Sequence, residues 1–299
     1  MRTWFKLHYH PASVPRDFGT LVLASLQLWL ASLRLIWRDA LLASLLPMLP
    51  WLGWWWSTRA QFADARWQAW LDPGLWQPDG PGLALGLSAN LAGLWFLLAV
   101  LHRQGMLARG PSPSEASLRV AWHALPQAVL ATVLYAALML LALSPLVIGC
   151  WVGLRHIDPA LALVPILLGL LASAVPLAWV SVAAVFIYPP ILLDAESGPA
   201  AQRLSFRLVH GHWVHSAMLL SVTSLASLGL LGTIGALPFA LTGTLVVALD
   251  GLEALLRPGW LVFGQLLGVP FTAIFLPLAT AGYLVCHEDL RLRQGRVRP

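Results

Sequence analysis

Apolar residues in this chain run in long blocks, not in the alternation of a half-buried strand or the single stripe of a surface helix. The blocks fall near 41–56, 82–101, 125–153, 160–193, 214–249 and 259–286. A helix needs about 20 apolar residues to cross about 30 Å of hydrocarbon, so each block reads as a membrane span. The first is short but is extended by the apolar helix before it. In the fifth, Pro238 interrupts the run, and a proline inside a helix removes a backbone donor and clashes with the preceding turn. The span is therefore read as 214–236, with 239–254 lying at the far interface. The pattern predicts an all-α polytopic membrane bundle with six transmembrane helices.

Composition agrees with the block pattern. The chain is 59% apolar and only 10% charged, with a mean hydropathy of +0.75, whereas soluble domains are about half apolar and a quarter charged. Charge then orients the spans, because cytoplasmic loops carry excess Lys and Arg. With six spans, residues 1–40, 102–124, 194–213 and 287–299 share one side and hold fourteen of the eighteen basic residues. Arg59, Arg66, Arg155 and Arg257 remain on the other. Both termini are expected in the cytoplasm; a seventh span would separate them. No cleavable signal peptide is expected, since the first long apolar run starts only after about 40 residues. The formal charge of +5 reads as attraction to anionic membrane lipid, worth about 1 kcal/mol per basic residue beside a span. Nucleic acid is not an expected partner. Cys150 and Cys286 are expected at opposite faces of the bilayer, too far apart to pair.

The chain also repeats itself. Ala-Ser-Leu-Arg-x-x-Trp occurs at Ala31–Trp37 and again at Ala116–Trp122, each time leading into an apolar run. A weaker copy, Ser205-Phe206-Arg207-Leu208-Val209, precedes the fifth block. Self-similarity at a fixed period sets architecture, and here the unit is a short basic elbow helix followed by a hairpin of two spans. The repeats run over about 31–101, 116–193 and 205–286. They sit within a membrane domain at 41–286, preceded by a polar tail at 1–16 and an amphipathic interfacial helix at 17–40, and followed by a basic tail at 287–299. A helix with an apolar face and a basic fringe lies in the interface. Arg34, Arg119 and Arg207, with Trp37 and Trp122, are therefore the candidate contacts to lipid headgroups.

Tryptophan is concentrated early, with eleven of sixteen before residue 100. Trp51, Trp54, Trp55 and Trp56 close the first span, and the loop 57–81 reads as an interfacial cap, because indole favours the headgroup region. A sugar- or lipid-binding shelf is the sharper alternative. Gly264 and Gly268 form a GxxxG, and Gly232 and Ala236 extend a small-residue face that lets helix backbones approach. Packing within one subunit accounts for such faces without a homodimer.

Candidate chemistry is sparse. Ionisable groups at membrane depth mark coupled carriers, and none falls well inside a predicted span; Asn90 and Gln265 are the most polar large side chains there, beside hydroxyls at Ser173, Ser181, Thr223 and Ser224. His210, His212 and His215 gather at the third elbow, and imidazole is a common zinc ligand. Positions i and i+2 diverge on a helix, however, so interfacial histidines near phosphate headgroups are the plainer reading. There is no P-loop, dinucleotide fingerprint, HExxH or G-x-S-x-G elbow. The chain is not expected to be an enzyme or to need a cofactor.

The run Tyr188-Pro189-Pro190-Ile191-Leu192-Leu193-Asp194, followed by Gly198-Pro199-Ala200, Ser205, Leu208, Gly211 and Trp213, together with Tyr283 and Asp289-Leu290-Arg291 near the end, resembles the YciC-like bacterial inner-membrane proteins. It is similar too to the membrane domain attached to some glycerophosphodiester phosphodiesterases, whose catalytic domain has no counterpart here. The resemblance implies a six-span bundle in the bacterial inner membrane and supplies no catalytic residue. His210 and His212 depart from its pattern. The expected function is a non-enzymatic, membrane-organising or accessory role that engages anionic lipid. The rival is a transporter or lipid channel with its pathway between the three units.

Overall fold

Leu, Ala and Val runs with few breakers fold as helices, and among the described residues there is no strand. The computed structural model describes residues 9–50, 53, 80–110, 116–156, 163–229 and 253–295. In chain order they form α1 (Phe18–Leu45), α2 (Gly80–Arg109), α3 (Ser117–His156) and α4 (Leu163–Ala183). Then come the short α5 (Tyr188–Leu193) and α6 (Gly198–Val209), α7 (Trp213–Gly229) and α8 (Glu253–Arg293). Among the described residues, five stretches are long and apolar enough to cross a membrane: Phe18–Met48, Pro81–Arg109, Ser117–Gly153, Leu163–Leu193 and Gly268–Arg293. Trp213–Gly229 is apolar but shorter. The chain is thus a multi-pass helical membrane protein.

Two expected boundaries are absent. The interfacial helix at 17–40 does not stop before a separate span; α1 runs unbroken past it and tightens only at Pro47, in a 3-10 turn at Leu46–Met48. No proline or glycine lies between Gly19 and Pro47, so nothing in the chain breaks the backbone ladder. The second elbow likewise continues into its span as one 40-residue helix. Only the third elbow is a separate helix, because Gly211 takes φ +85 after α6, a conformation that glycine adopts without steric cost. The end of the first expected span (51, 52 and 54–56), the Trp-rich loop, and the stretch holding Gly232, Ala236 and Pro238 lie outside the described residues.

Helix α1 packs between α2 and α8, while α3 packs against α2 and α4. One core gathers Leu21, Leu28, Leu98, Phe186, Leu208, Leu219 and Leu284, all fully buried. In the most apolar window of α8, 61% is buried, against 11% in α3. Helix α8 is therefore the central post, and α3 presents Leu140, Leu141, Val147 and Ile148 outward. Since lipid is as apolar as leucine, contact geometry rather than hydrophobic transfer must hold such helices together. The α3–α4 contact shows it. A Cβ on Gly149 would lie 2.3 Å from the Pro165 carbonyl oxygen, and one on Gly169 2.5 Å from that of Pro145. These close approaches fall on Pro-x-x-x-Gly frames at 145–149 and 165–169, not on the predicted GxxxG. At Gly268 no described atom comes within 4 Å of the added Cβ position.

Candidate lipid-headgroup site

Each elbow tripeptide presents its residues to its surroundings in the same order. Ser32, Ser117 and Ser205 are buried; Leu33, Leu118 and Phe206 are half-buried; Arg34, Arg119 and Arg207 are exposed. A helix turns about 100° per residue, so a fixed buried serine forces the arginine two positions on to the far face. None of the three guanidinium groups has an ion-pair or hydrogen-bond partner among the described residues. The predicted tryptophans are also open, Trp37 being 48% and Trp122 56% exposed. Trp122 leans edge-on against Trp95, with ring centroids 5.3 Å apart. Arg38 lies 5.4 Å over the Trp37 ring.

The serines themselves were the missed residues. The Ser117 hydroxyl meets His102 Nδ1 at 3.0 Å. Two residues along α2, Gln104 donates to Ser32 Oγ at 2.9 Å and to the Pro277 carbonyl at 3.0 Å. Its own oxygen accepts from Thr280 at 2.6 Å. One turn further along α8, the Tyr283 hydroxyl donates to the Val185 carbonyl at 2.8 Å and accepts from the Tyr188 amide. Ser205 completes the run, donating to the Ala183 carbonyl at 2.7 Å and accepting from the Phe186 amide at 3.0 Å. The three serines thus dock on one buried polar layer built from α2, α8 and the end of α4. The layer has a structural reason at α4. Phe186 has ψ 44, outside the helical range, and the backbone groups freed at that break are taken up by the two hydroxyls of Ser205 and Tyr283.

Beside this layer lies an ionic knot. Asp194 accepts from Arg109 and Arg291, each at 3.0 Å, and Glu288 Oε1 lies 2.9 Å from Arg109 Nε. Asp289 Oδ1 accepts the Arg16 amide and Oδ2 holds Arg293, both at 2.7 Å. Arg293 in turn donates to the Arg16 carbonyl, and Gln294 donates to the Arg207 carbonyl at 2.7 Å. The leader before α1, the third elbow and the end of α8 are therefore tied to one another. Nearby, the Thr20 hydroxyl holds the Asp17 carboxyl below its ordinary range.

Ionisable side chains enter the apolar helices more deeply than the sequence suggested. Asp39 and Arg103 pair at 2.7 Å within the stretches Phe18–Met48 and Pro81–Arg109. The predicted histidines do not converge. His210 ends α6 and is exposed, His212 is half-buried in the turn, and His215 on α7 reaches Asp289 at 3.6 Å. Among the described residues no group of three or more His, Cys, Asp or Glu is arranged to hold a metal ion. His287 is fully buried, and its Nδ1 lies 3.4 Å from Glu288. Three of the polar span residues serve their own helices, and one bridges two. Asn90, Ser181 and Thr223 each donate to a carbonyl three or four residues back, and Ser173 takes the Leu146 amide at 3.0 Å. Gln265 lies on α8, and its side chain is not described. Cys150 and Cys286 are both free. No protein-family model, curated protein or solved structure matches this chain.

Proposed function

We propose that this chain is a non-enzymatic protein of the bacterial inner membrane that gathers anionic lipid around itself, as an organising or accessory component. In this reading it crosses the membrane six times in three elbow-plus-hairpin units, with both termini in the cytoplasm. One observation carries the proposal: in all three elbows a buried serine fixes the helix so that an unpaired arginine faces outward. An exposed, unpaired guanidinium beside an apolar helix suits a phosphate, which it can grip with two parallel N–H bonds. A polar pathway between the units, the alternative, draws less support. Asn90, Ser181 and Thr223, among the most polar side chains of the expected spans, spend their donors on their own helices.

The test is to purify the protein in nanodiscs cut from native membrane and count the lipids retained. The triple variant Arg34→Gln/Arg119→Gln/Arg207→Gln should lose about 3 kcal/mol of attraction, so enrichment of anionic lipid over bulk should largely disappear. Arg155→Gln, an exposed residue at the far end of α3, should leave enrichment intact. Equal lipid profiles in native protein and triple variant would overturn the reading. A stoichiometric protein companion with bulk lipid only would make the chain an accessory subunit.

A further inference from the structure

Gln202 on α6 is only 7% exposed, and neither atom of its carboxamide has a hydrogen-bond partner. Other glutamines of the bundle are engaged: Gln104 makes three bonds, Gln127 accepts the Gly198 amide, and Gln294 donates to two carbonyls. A buried amide left alone is costly, and proteins normally satisfy it with protein, water or ligand. Gln202 lines a cavity of about 330 Å³ with Pro199 of α6 and Leu134, Ala137, Leu138 and Leu141 of α3. That volume lies at the lower end of the range for ligand sites, roughly 300–1,000 Å³. Leu141 is 70% exposed, so the cavity opens sideways along a stretch apolar enough to lie in hydrocarbon.

The chemistry runs in a definite order. An aliphatic wall spans two turns of α3, the lone carboxamide follows at its α6 end, and the next residue, Arg203, is exposed and unpaired. That order matches a glycerophospholipid, with its acyl chain, then its ester carbonyl, then its phosphate. We infer that the cavity seats the upper part of one acyl chain of a phospholipid, against Leu134, Leu138 and Leu141, with its ester carbonyl accepting from Gln202 Nε2. Arg203, the next residue, lies on the exposed face of α6. The inference shares the membrane setting with the proposed function but uses none of the three elbow arginines, so each can fail without the other.

The test uses the full chain in vesicles of phosphatidylethanolamine and phosphatidylglycerol, with a trace of phosphatidylglycerol bearing a photoreactive diazirine high in its acyl chain. Labelled peptides should centre on 134–141. Gln202→Met, of similar length but without donor or acceptor, should cut that labelling about tenfold, the equilibrium equivalent of one lost hydrogen bond. The triple elbow variant should label like the native protein. In lipid-free detergent Gln202→Met should melt no lower than native, since no protein partner is lost, and added phospholipid should raise the native Tm more than that of the variant. Labelling spread evenly over the outer faces of α3 and α4, or unchanged by Gln202→Met, would overturn the inference. So would an equal Tm gain in both proteins.

Discussion

Replacing Ser205 with alanine removes one oxygen and strands two backbone groups. The hydroxyl bonds the Ala183 carbonyl at 2.7 Å and the Phe186 amide at 3.0 Å, where Ser205 and Phe186 have no exposed surface. Water cannot replace the lost partner, and the helix cannot close on itself while Phe186 keeps its non-helical ψ. Each stranded buried group costs about 1–3 kcal/mol, and small shifts recover part of it, so Ser205→Ala should destabilise the fold by about 3 kcal/mol. The sister serines provide internal controls. Ser32→Ala leaves Gln104 still bonded to Pro277 and Thr280, so it should cost about 1 kcal/mol. Ser117→Ala strands only His102 Nδ1 and should fall between. Tyr283→Phe opens the same break from the other side, at Val185 and Tyr188. Its effect should therefore combine with that of Ser205→Ala non-additively, by more than about 0.5 kcal/mol. Reversible unfolding in mixed detergent and dodecyl sulfate micelles measures all four. A Ser205→Ala loss under about 1 kcal/mol, or a Ser32→Ala loss as large as that of Ser205→Ala, refutes the assignment of these hydroxyls as the partners of the helix break.

Asp194→Asn should loosen the ionic knot, since Arg109 and Arg291 both lean on that carboxylate. All three side chains are about one-quarter exposed, which places the expected cost near 2 kcal/mol, between exposed pairs and buried ones. The same unfolding titration reads it, and an effect that vanished in high salt would mean the pairs are solvated. Gly169→Ala drives a Cβ to 2.5 Å from the Pro145 carbonyl oxygen and should cost about 2–3 kcal/mol as α3 and α4 separate. Gly268→Ala should be neutral or stabilising by up to about 1 kcal/mol, because the added methyl meets no described atom and alanine favours helix. Reversal of that order would return the packing role to the GxxxG.

The helices were legible because apolar blocks longer than a span have few other ways to fold. Their ends were not. Arg34 reads as the basic fringe of an interfacial helix and does point outward, yet Asp39 five residues on pairs with Arg103, sixty-four positions later. A sequence shows each charge but not its partner. The elbow repeat is visible as a pattern, and its arginine and tryptophan carry recognisable chemistry in their charge and aromatic rings. Serine carries little until its partners are known, and that of Ser32 lies 72 positions away. The Pro-x-x-x-Gly frames at 145–149 and 165–169 were present in the sequence. They lacked meaning without knowing that the two helices are antiparallel neighbours, which brings each glycine opposite the other's proline.

The residues that suggested a family resemblance have a common structural task. Tyr188 and Tyr283 meet at the helix break, and Asp194 and Arg291 meet in the knot. Asp289 holds the Arg16 amide, and Ser205 closes the break from the elbow side. A short motif scattered over a hundred positions thus becomes one clamp joining α4, α6 and α8. Its members are spent on one another, and together they fix how the three helices meet. On the proposed readings, recognition falls to the arginine faces of three elbows and the unpaired amide of Gln202 beside an aliphatic groove. If the elbows bind lipid, loosening the clamp should weaken lipid retention without touching an arginine. Ser205→Ala ought therefore to lower the occupancy of the third elbow more than the first, whereas Arg207→Gln should do so with the fold unchanged. Hydrogen exchange across α6 in nanodiscs separates the two, because only the serine variant should speed exchange at 198–209. Equal exchange in both variants would break the link between clamp and elbow.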